Sequence, residues 1–170
     1  LVHVTYLGLL STATVSTAQA LGIPTVVTLT DMWAICPAGT LLRHDGELCT
    51  GPADLGDCVR CLTSMGPRGG AFAGLARALP PWLWRAMGGA ASLPGLGRLP
   101  YFSWLRALGE RPAQVRQALL SAGALLSPGR FLVTMLERNG YPAGSVRALP
   151  HGVESPERLR RPTPVCGGGP

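Results

Sequence analysis

At 170 residues and 17.7 kDa, with 46% hydrophobic and 14% charged residues, the chain can bury a core of its own. That balance excludes a charge-rich disordered protein. The formal charge of +6 comes from arginine alone and is unevenly placed: residues 1–62 carry two Arg against five acids, and residues 63–170 carry thirteen against four.

Residues 1–7 read as a short strand with Val2, Val4 and Tyr6 on one face, and Gly8 breaks it. Ser11 is a candidate N-cap for a helix through Leu21, which Gly22 closes. Ile23 and Pro24 lead into the β-branched run 25–30, ended by Asp31. Strand, helix and strand within about thirty residues is the βαβ unit of a parallel sheet. Residues 1–30 contain no Asp, Glu, Lys or Arg, and Ala18-Gln19-Ala20 mimics a signal-peptidase site. A signal peptide, however, needs a cationic n-region, and a membrane span needs about 20 predominantly apolar residues. Thr5, Ser11, Thr12, Thr14, Ser16, Thr17 and Gln19 interrupt the run, so a buried strand and helix explain the missing charge better.

Residues 32–65 hold four cysteines among turn signals and read as a Cys-rich loop. Residues 66–109 follow with five Arg, no acids and the aromatics Trp82, Trp84, Tyr101, Phe102 and Trp104, cut into short helical pieces by Pro and Gly. A second αβαβ stretch is expected from a helix over 112–122, a strand over 124–127, a helix with Phe131, Leu132, Met135 and Leu136 on its apolar stripe, and a strand over 146–149. Residues 155–164 are polar and Pro-rich, a linker by composition. The fold class is therefore α/β, a Rossmann-like parallel sheet with flanking helices.

Several blocks resemble one family. The segment from Thr25 to Pro37, Thr-Val-Val-Thr-Leu-Thr-Asp-Met-Trp-Ala-Ile-Cys-Pro, resembles the part of family 4 glycosyltransferases in which a strand ends in His-Asp, an aromatic pair and Cys-Pro. Leu41-Leu42, Asp45-Gly46, Leu48-Cys49 and Cys58-Val-Arg-Cys61 continue the likeness. Ser127-Pro-Gly-Arg-Phe131 is similar to the family's Pro-Ser-Arg-Phe, and Pro150-His-Gly-Val-Glu154 to its Pro-Asn/His-Gly-(Ile/Val)-Asp crossover. Together they cover about residues 1–154, in the family's order.

The resemblance implies half of a two-domain (GT-B) enzyme that moves a sugar from a nucleotide-sugar donor to a glycan or lipid-linked acceptor. Residues 1–154 would form the partial N-terminal, acceptor-side domain, and residues 155–170 the linker and start of a C-terminal domain. A Gly-rich loop would precede Leu1, and the donor-binding domain with its Glu-x7-Glu motif would follow Pro170. A cytoplasmic location, peripheral at the inner face of the membrane, goes with it. Asp31, with Thr30 and His151, would serve the reaction, and Tyr6, Trp33, Arg130 and Gly152 would line the cleft. The sequence departs from the family at Thr30, where His is usual, and at Thr5 and Tyr6, where further His is common.

Read from the residues alone, Asp31 lies where open α/β sheets place ligands, at the carboxyl end of a strand, and its carboxylate could act as a general base. The competing reading is an N-cap of the next turn. His3 suits a structural role, and His151 an ordinary turn. Arg130, opening a helix after Ser127-Pro-Gly, suits an anion or plain solvation. Gly152 is expected to supply a positive φ. No P-loop, His-Glu-x-x-His or Gly-x-Ser-x-Gly motif is present.

Cys36, Cys49, Cys58 and Cys61 are spaced C-x12-C-x8-C-x2-C. A tight turn at Cys58–Cys61 would put two sulfurs on one ion, and the loop from Cys36 to Cys49 would complete a structural zinc site of four thiolates. Free thiols, an iron–sulfur cluster and two disulfides are the rivals. A non-enzymatic zinc-binding or interaction module is thus the second functional reading. Residues 79–105 are expected to form a mobile helical insert that touches a membrane surface or a lipid-linked acceptor, with Trp82, Trp84 and Trp104 at the interface and Arg85, Arg98 and the neighbouring Arg106 near anionic head groups. Packing of these aromatics on the sheet or on a missing domain is the alternative. A nucleic-acid role ranks third, for no nucleic-acid motif accompanies the Arg and Trp residues.

Overall fold

The computed structural model describes residues 1–8, 10–52, 54–65, 69–93 and 95–152, with side chains for all of these but residues 69–73. The linker expected over 155–164 lies outside them. Four strands, β1 (Val2–Val4), β2 (Thr25–Thr28), β3 (Ala124–Ser127) and β4 (Val146–Ala148), pair in that order. Every pair is parallel, and helices flank the sheet, a Rossmann-like α/β arrangement.

Helix α1 (Ala13–Ala20) joins β1 to β2. It begins one residue later than its cap signal suggests. Thr12 holds the N-cap position without a side-chain bond, while the Ser11 hydroxyl accepts from the Ala13 N–H at 3.1 Å. Gly22 ends the helix with φ 67°, a conformation that favours glycine. The first strand stops at Val4, so Tyr6 lies beyond it and is exposed.

The register aligns Val4, Val27, Leu125 and Val146 in one row across the sheet, all buried. Val15 of α1 packs on this face, as do side chains of α5 (Pro100–Leu120) and α6 (Arg130–Arg138). On the opposite face Val26, Thr28, Ala124 and Leu126 stay half-buried, and His3 and Arg147 are exposed. His3 Nε2 meets the Thr28 hydroxyl at 2.8 Å, so its structural role is a surface contact between β1 and β2.

A second, helical layer is built from α2 (Leu55–Met65), α3 (Gly69–Ala78), α4 (Pro81–Ala90) and the first half of α5. Its core is Val59, Ala76, Trp84, Leu105 and Leu108. The helix expected over 112–122 is the second half of α5, which runs unbroken from Pro100 with Pro112 inside it. Pro112 removes one helical hydrogen bond, and packing at both ends holds the helix together. Leu105 and Leu108 sit in the helical core, while Val115 and Leu119 sit in the sheet core.

Two expectations fail on burial. Phe131, placed on the apolar stripe of α6, is 67% exposed, and the buried residues of that helix are Leu132, Met135 and Leu136. At the first turn of a helix one residue of offset swings a side chain by about 100°. Trp84, expected at a surface, is 1% exposed, and Trp104 packs against the same core. Only Trp82 of that trio stands out, at 64%.

Tyr141 is buried in the sheet core with its hydroxyl unpartnered among the described residues. Burial pushes its phenol up to about 12. The folded form thus favours the neutral phenol, and the resulting stability is complete below the ordinary value of 10.0 and lost as pH rises toward about 12. Tyr141→Phe is expected to be as stable as the parent or more so at neutral pH, with a flatter decline in urea midpoint between these two values. A loss above about 1 kcal/mol at neutral pH would show that the hydroxyl has a partner.

Candidate functional site

The carboxyl ends of β1 and β2 form a small cleft lined by Thr5, Tyr6, Thr30, Asp31 and Trp33. Tyr6 leans over Gly8, where any larger side chain would meet its ring. Asp31 N-caps a 3-10 turn, Met32–Ala34, its Oδ1 accepting from the Trp33 N–H at 2.9 Å. The capping role anticipated as the competing reading is therefore real. It also fixes the carboxylate and leaves Oδ2 without a partner among the described residues. The cleft encloses about 10 Å³, room for one water. A sugar would lie over it, not inside it.

Trp33 also borders a larger open groove of about 390 Å³, between the start of α1, the 3-10 turn and α5. That volume is in the range of small-molecule sites. Its walls include Ser11, Thr12, Trp104, Arg111 and Gln114. Arg111 stacks over the Trp33 ring, 4.5 Å from its centroid, and donates from Nη2 to the Trp33 carbonyl at 2.6 Å. Its Nη1 is buried without a partner among the described residues. Nothing in the sequence marks Arg111, Gln114 or Trp104 as a lining residue of this groove. Arg111 lies on a helix 78 residues beyond Trp33, and only tertiary packing joins the two.

The other sequence-derived residues stand along the same edge but apart from Asp31. Ser127 is buried, and its hydroxyl bridges the turn to Gly129, accepting from the N–H at 3.3 Å and donating to the carbonyl at 3.1 Å. This turn starts α6 and leaves Arg130 exposed. His151 and Gly152 follow β4 and are exposed. β4 lies two strands from β2, about 10 Å at the usual spacing. His151 and Asp31 therefore share a sheet edge, not a cleft. Gly152 is not among the residues of positive φ, so the left-handed turn expected there is absent.

Cys36, Cys49, Cys58 and Cys61 are free thiols that line a single cavity of about 100 Å³. The tight turn expected at Cys58–Cys61 is instead part of α2, where residues three apart share a face. Burial, and then the neighbouring Cys36, Cys49 and Cys61, push the Cys58 thiol up to about 12. Cys61 is raised by burial, with the His44 N–H acting in the other direction. Such thiols are poor nucleophiles at neutral pH. Cys49 Sγ donates to the Gly51 carbonyl at 3.0 Å. Among the described residues no three His, Cys, Asp or Glu side chains are disposed to hold a metal ion. The closed four-sulfur shell expected from the spacing is therefore not formed in this geometry.

Asp54 starts the helix that carries two of these thiols. Its carbonyl accepts from the Cys58 N–H at 3.2 Å and its Oδ1 from the Gly56 N–H at 2.7 Å, while Oδ2 pairs with Arg85. Burial acts to raise the carboxyl, but Arg85 and the Gly56 N–H outweigh it and hold it below the ordinary 3.8. The stability this gives is present above that value and is lost as pH falls through the depressed one. Asp54→Ala is expected to cost about 1 kcal/mol at neutral pH. The difference in urea midpoint from the parent should shrink in acid; a pH-independent difference would leave the ion pair without a role.

No helix among the described residues is long and apolar enough to cross a membrane. Comparison with protein-family models, with curated proteins and with solved structures gave no match.

Proposed function

We propose that this chain is the acceptor-side half of a two-domain (GT-B) glycosyltransferase, which moves a sugar from a nucleotide-sugar donor to a glycan or lipid-linked acceptor. One observation carries the reading. Asp31, held by its own cap, faces a cleft at the carboxyl edge of a parallel sheet and adjoins a ligand-sized groove through Trp33. Open α/β sheets bind ligands at this edge.

In this reading the acceptor lies in the groove against Trp33 and Trp104, with one hydroxyl over the cleft. Oδ1 of Asp31 stays with the Trp33 N–H, and Oδ2 accepts the hydroxyl proton as the acceptor oxygen bonds to the donor's anomeric carbon. The nucleotide phosphate leaves with the electron pair of the broken C–O bond. The exposed Thr30 hydroxyl, in place of the family's His, supplies a further hydrogen bond. Arg130 and His151 stand farther along the edge, toward the donor, whose nucleotide is bound mainly by the C-terminal domain. The protein works at the cytoplasmic face of the membrane, where exposed Trp82, Arg98 and Arg106 meet anionic head groups. Nucleic acid is disfavoured, because Trp84 is committed to the helical core.

The test is amide NMR of the chain titrated with neutral oligosaccharides and short-chain lipid-linked sugars. Shifts centred on residues 30–33 and the first turn of α1 support the reading. Shifts confined to other surfaces, or none with any acceptor, contradict it.

A further inference from the structure

The four thiols have no place in sugar transfer, yet they face one space. We propose that Cys36, Cys49, Cys58 and Cys61 close as thiolates on a single zinc ion, and that this ion fastens the helical layer to the sheet layer. The positions of the cysteines in the fold motivate the fastening role. Cys36 and Cys49 pack against the sheet core, and Cys58 packs against the helical core. Cys36 follows the 3-10 turn that Asp31 caps, Cys49 lies in the loop after the Leu42–Leu48 bridge, and Cys58 and Cys61 share a face of α2. One ion among them would tie three segments that are otherwise joined by packing and by the 3.9 Å approach of Arg43 to Asp57.

The donor set selects the metal. Two carboxylates also line the cavity, but both are engaged: Asp54 by Arg85 and the Gly56 N–H, Asp57 by Arg60 at 3.5 Å. The sulfurs are the free donors, which suits a soft or borderline cation over calcium or magnesium. Closing the site needs re-aimed thiols, since Cys49 now bonds the Gly51 carbonyl and the sulfurs do not yet share a centre. A step between staggered χ1 wells re-aims a thiol without moving its backbone. The loop around Cys49 is held ready for this. Asn139 Nδ2 donates to the Thr50 carbonyl at 3.0 Å, and Gly51 fits against the same side chain with φ 140°.

Charge balance agrees. One divalent ion and four thiols give a tetrathiolate of net charge −2 and release four protons to solvent, with no change of oxidation state. Arg43 lines the cavity, and Arg111 lies within electrostatic reach of Cys36 and Cys58. Arg43 is already paired with Asp45 at 3.2 Å and lies 3.9 Å from Asp57, so Arg111 is the guanidinium left to offset the negative charge, and the His44 backbone N–H favours the Cys61 thiolate.

The experiment titrates the reduced 170-residue chain with cobalt(II) under nitrogen and then adds zinc. Expected are the visible bands of a tetrahedral tetrathiolate, saturating at one equivalent and bleached by zinc. Thiols reactive toward a disulfide reagent should fall from the chain's five to one, Cys166. Cys36→Ser and Cys49→Ser should each weaken or shift the bands, and Cys166→Ser should not. Zinc should also protect α3 and α4 from limited proteolysis. The thiol count on the parent chain keeps the test decisive if a variant fails to fold. Five reactive thiols with excess zinc, octahedral cobalt bands, iron–sulfur absorption in the isolated protein, or a mass lower by two hydrogens per disulfide would each overturn the proposal.

Discussion

Trp84→Ala is expected to destabilise the protein by about 3–5 kcal/mol, the cost of emptying a large aromatic site in a core. Trp82→Ala, two residues away, should change stability by less than about 0.5 kcal/mol. The two indoles start the same helix but differ in burial, 1% against 64%. Trp84 lies 6.5 Å from the Tyr101 ring and so close to Gly56 that an added methyl there would touch it at 3.0 Å. The loss should appear in one cooperative transition, because α5 carries side chains of both cores and couples the layers. Urea unfolding followed by far-ultraviolet circular dichroism checks both substitutions. Equal effects would mean that Trp84 is not inside, and would return it to the surface role that its Arg-rich surroundings suggest.

If the proposed function holds, Asp31→Asn should lower turnover by about 10²–10⁴, the usual weight of a general base, in a polypeptide that pairs this chain with the donor-binding domain the proposal calls for. The fold should be unaffected, since an Asn oxygen can still accept from the Trp33 N–H and Asn is a good N-cap. Asp31→Ala should match the loss of turnover and add about 1 kcal/mol of instability from the missing cap. The two substitutions together separate chemistry from structure. Turnover unchanged in Asp31→Asn would leave the residue a cap and nothing more.

The sheet is legible in the sequence because its signals are local. A β-branched run ended by Asp31, a short apolar run ended by Pro128, and helices closed by Gly22 and by Asn139-Gly140 set four strands in chain order, and right-handed crossovers then leave little choice of topology. The helical layer is not legible to the same degree. Pro80, Pro100 and Pro112 look like breaks in the sequence, yet the first two precede or open helices and the third is carried inside one by packing at both ends. The Cys-x-x-Cys suggests a turn for a similar reason: its spacing fits a turn and a helix face equally, and only the amphipathic run from Leu55 to Met65 decides between them. At the site, Asp31 is visible from its place at a strand end, and Trp33 only through the family resemblance. Arg111, Gln114 and Trp104 are not, because nothing local marks a helix residue that borders a groove made by distant segments. Charge-free strands also suggest a sheet covered on both faces, while the face bearing Val26 and Leu126 is half-exposed among the described residues.

The central claim is that the carboxyl edge around Asp31 serves sugar transfer. Its most direct test is transfer of labelled sugar from a panel of nucleotide sugars to glycan and lipid-linked acceptors, by a polypeptide that pairs this chain with the donor-binding domain the proposal calls for. The account predicts labelled product with at least one donor, lost in Asp31→Asn while the protein stays folded. No transfer from any donor by the folded protein, or transfer that is indifferent to Asp31, would contradict it.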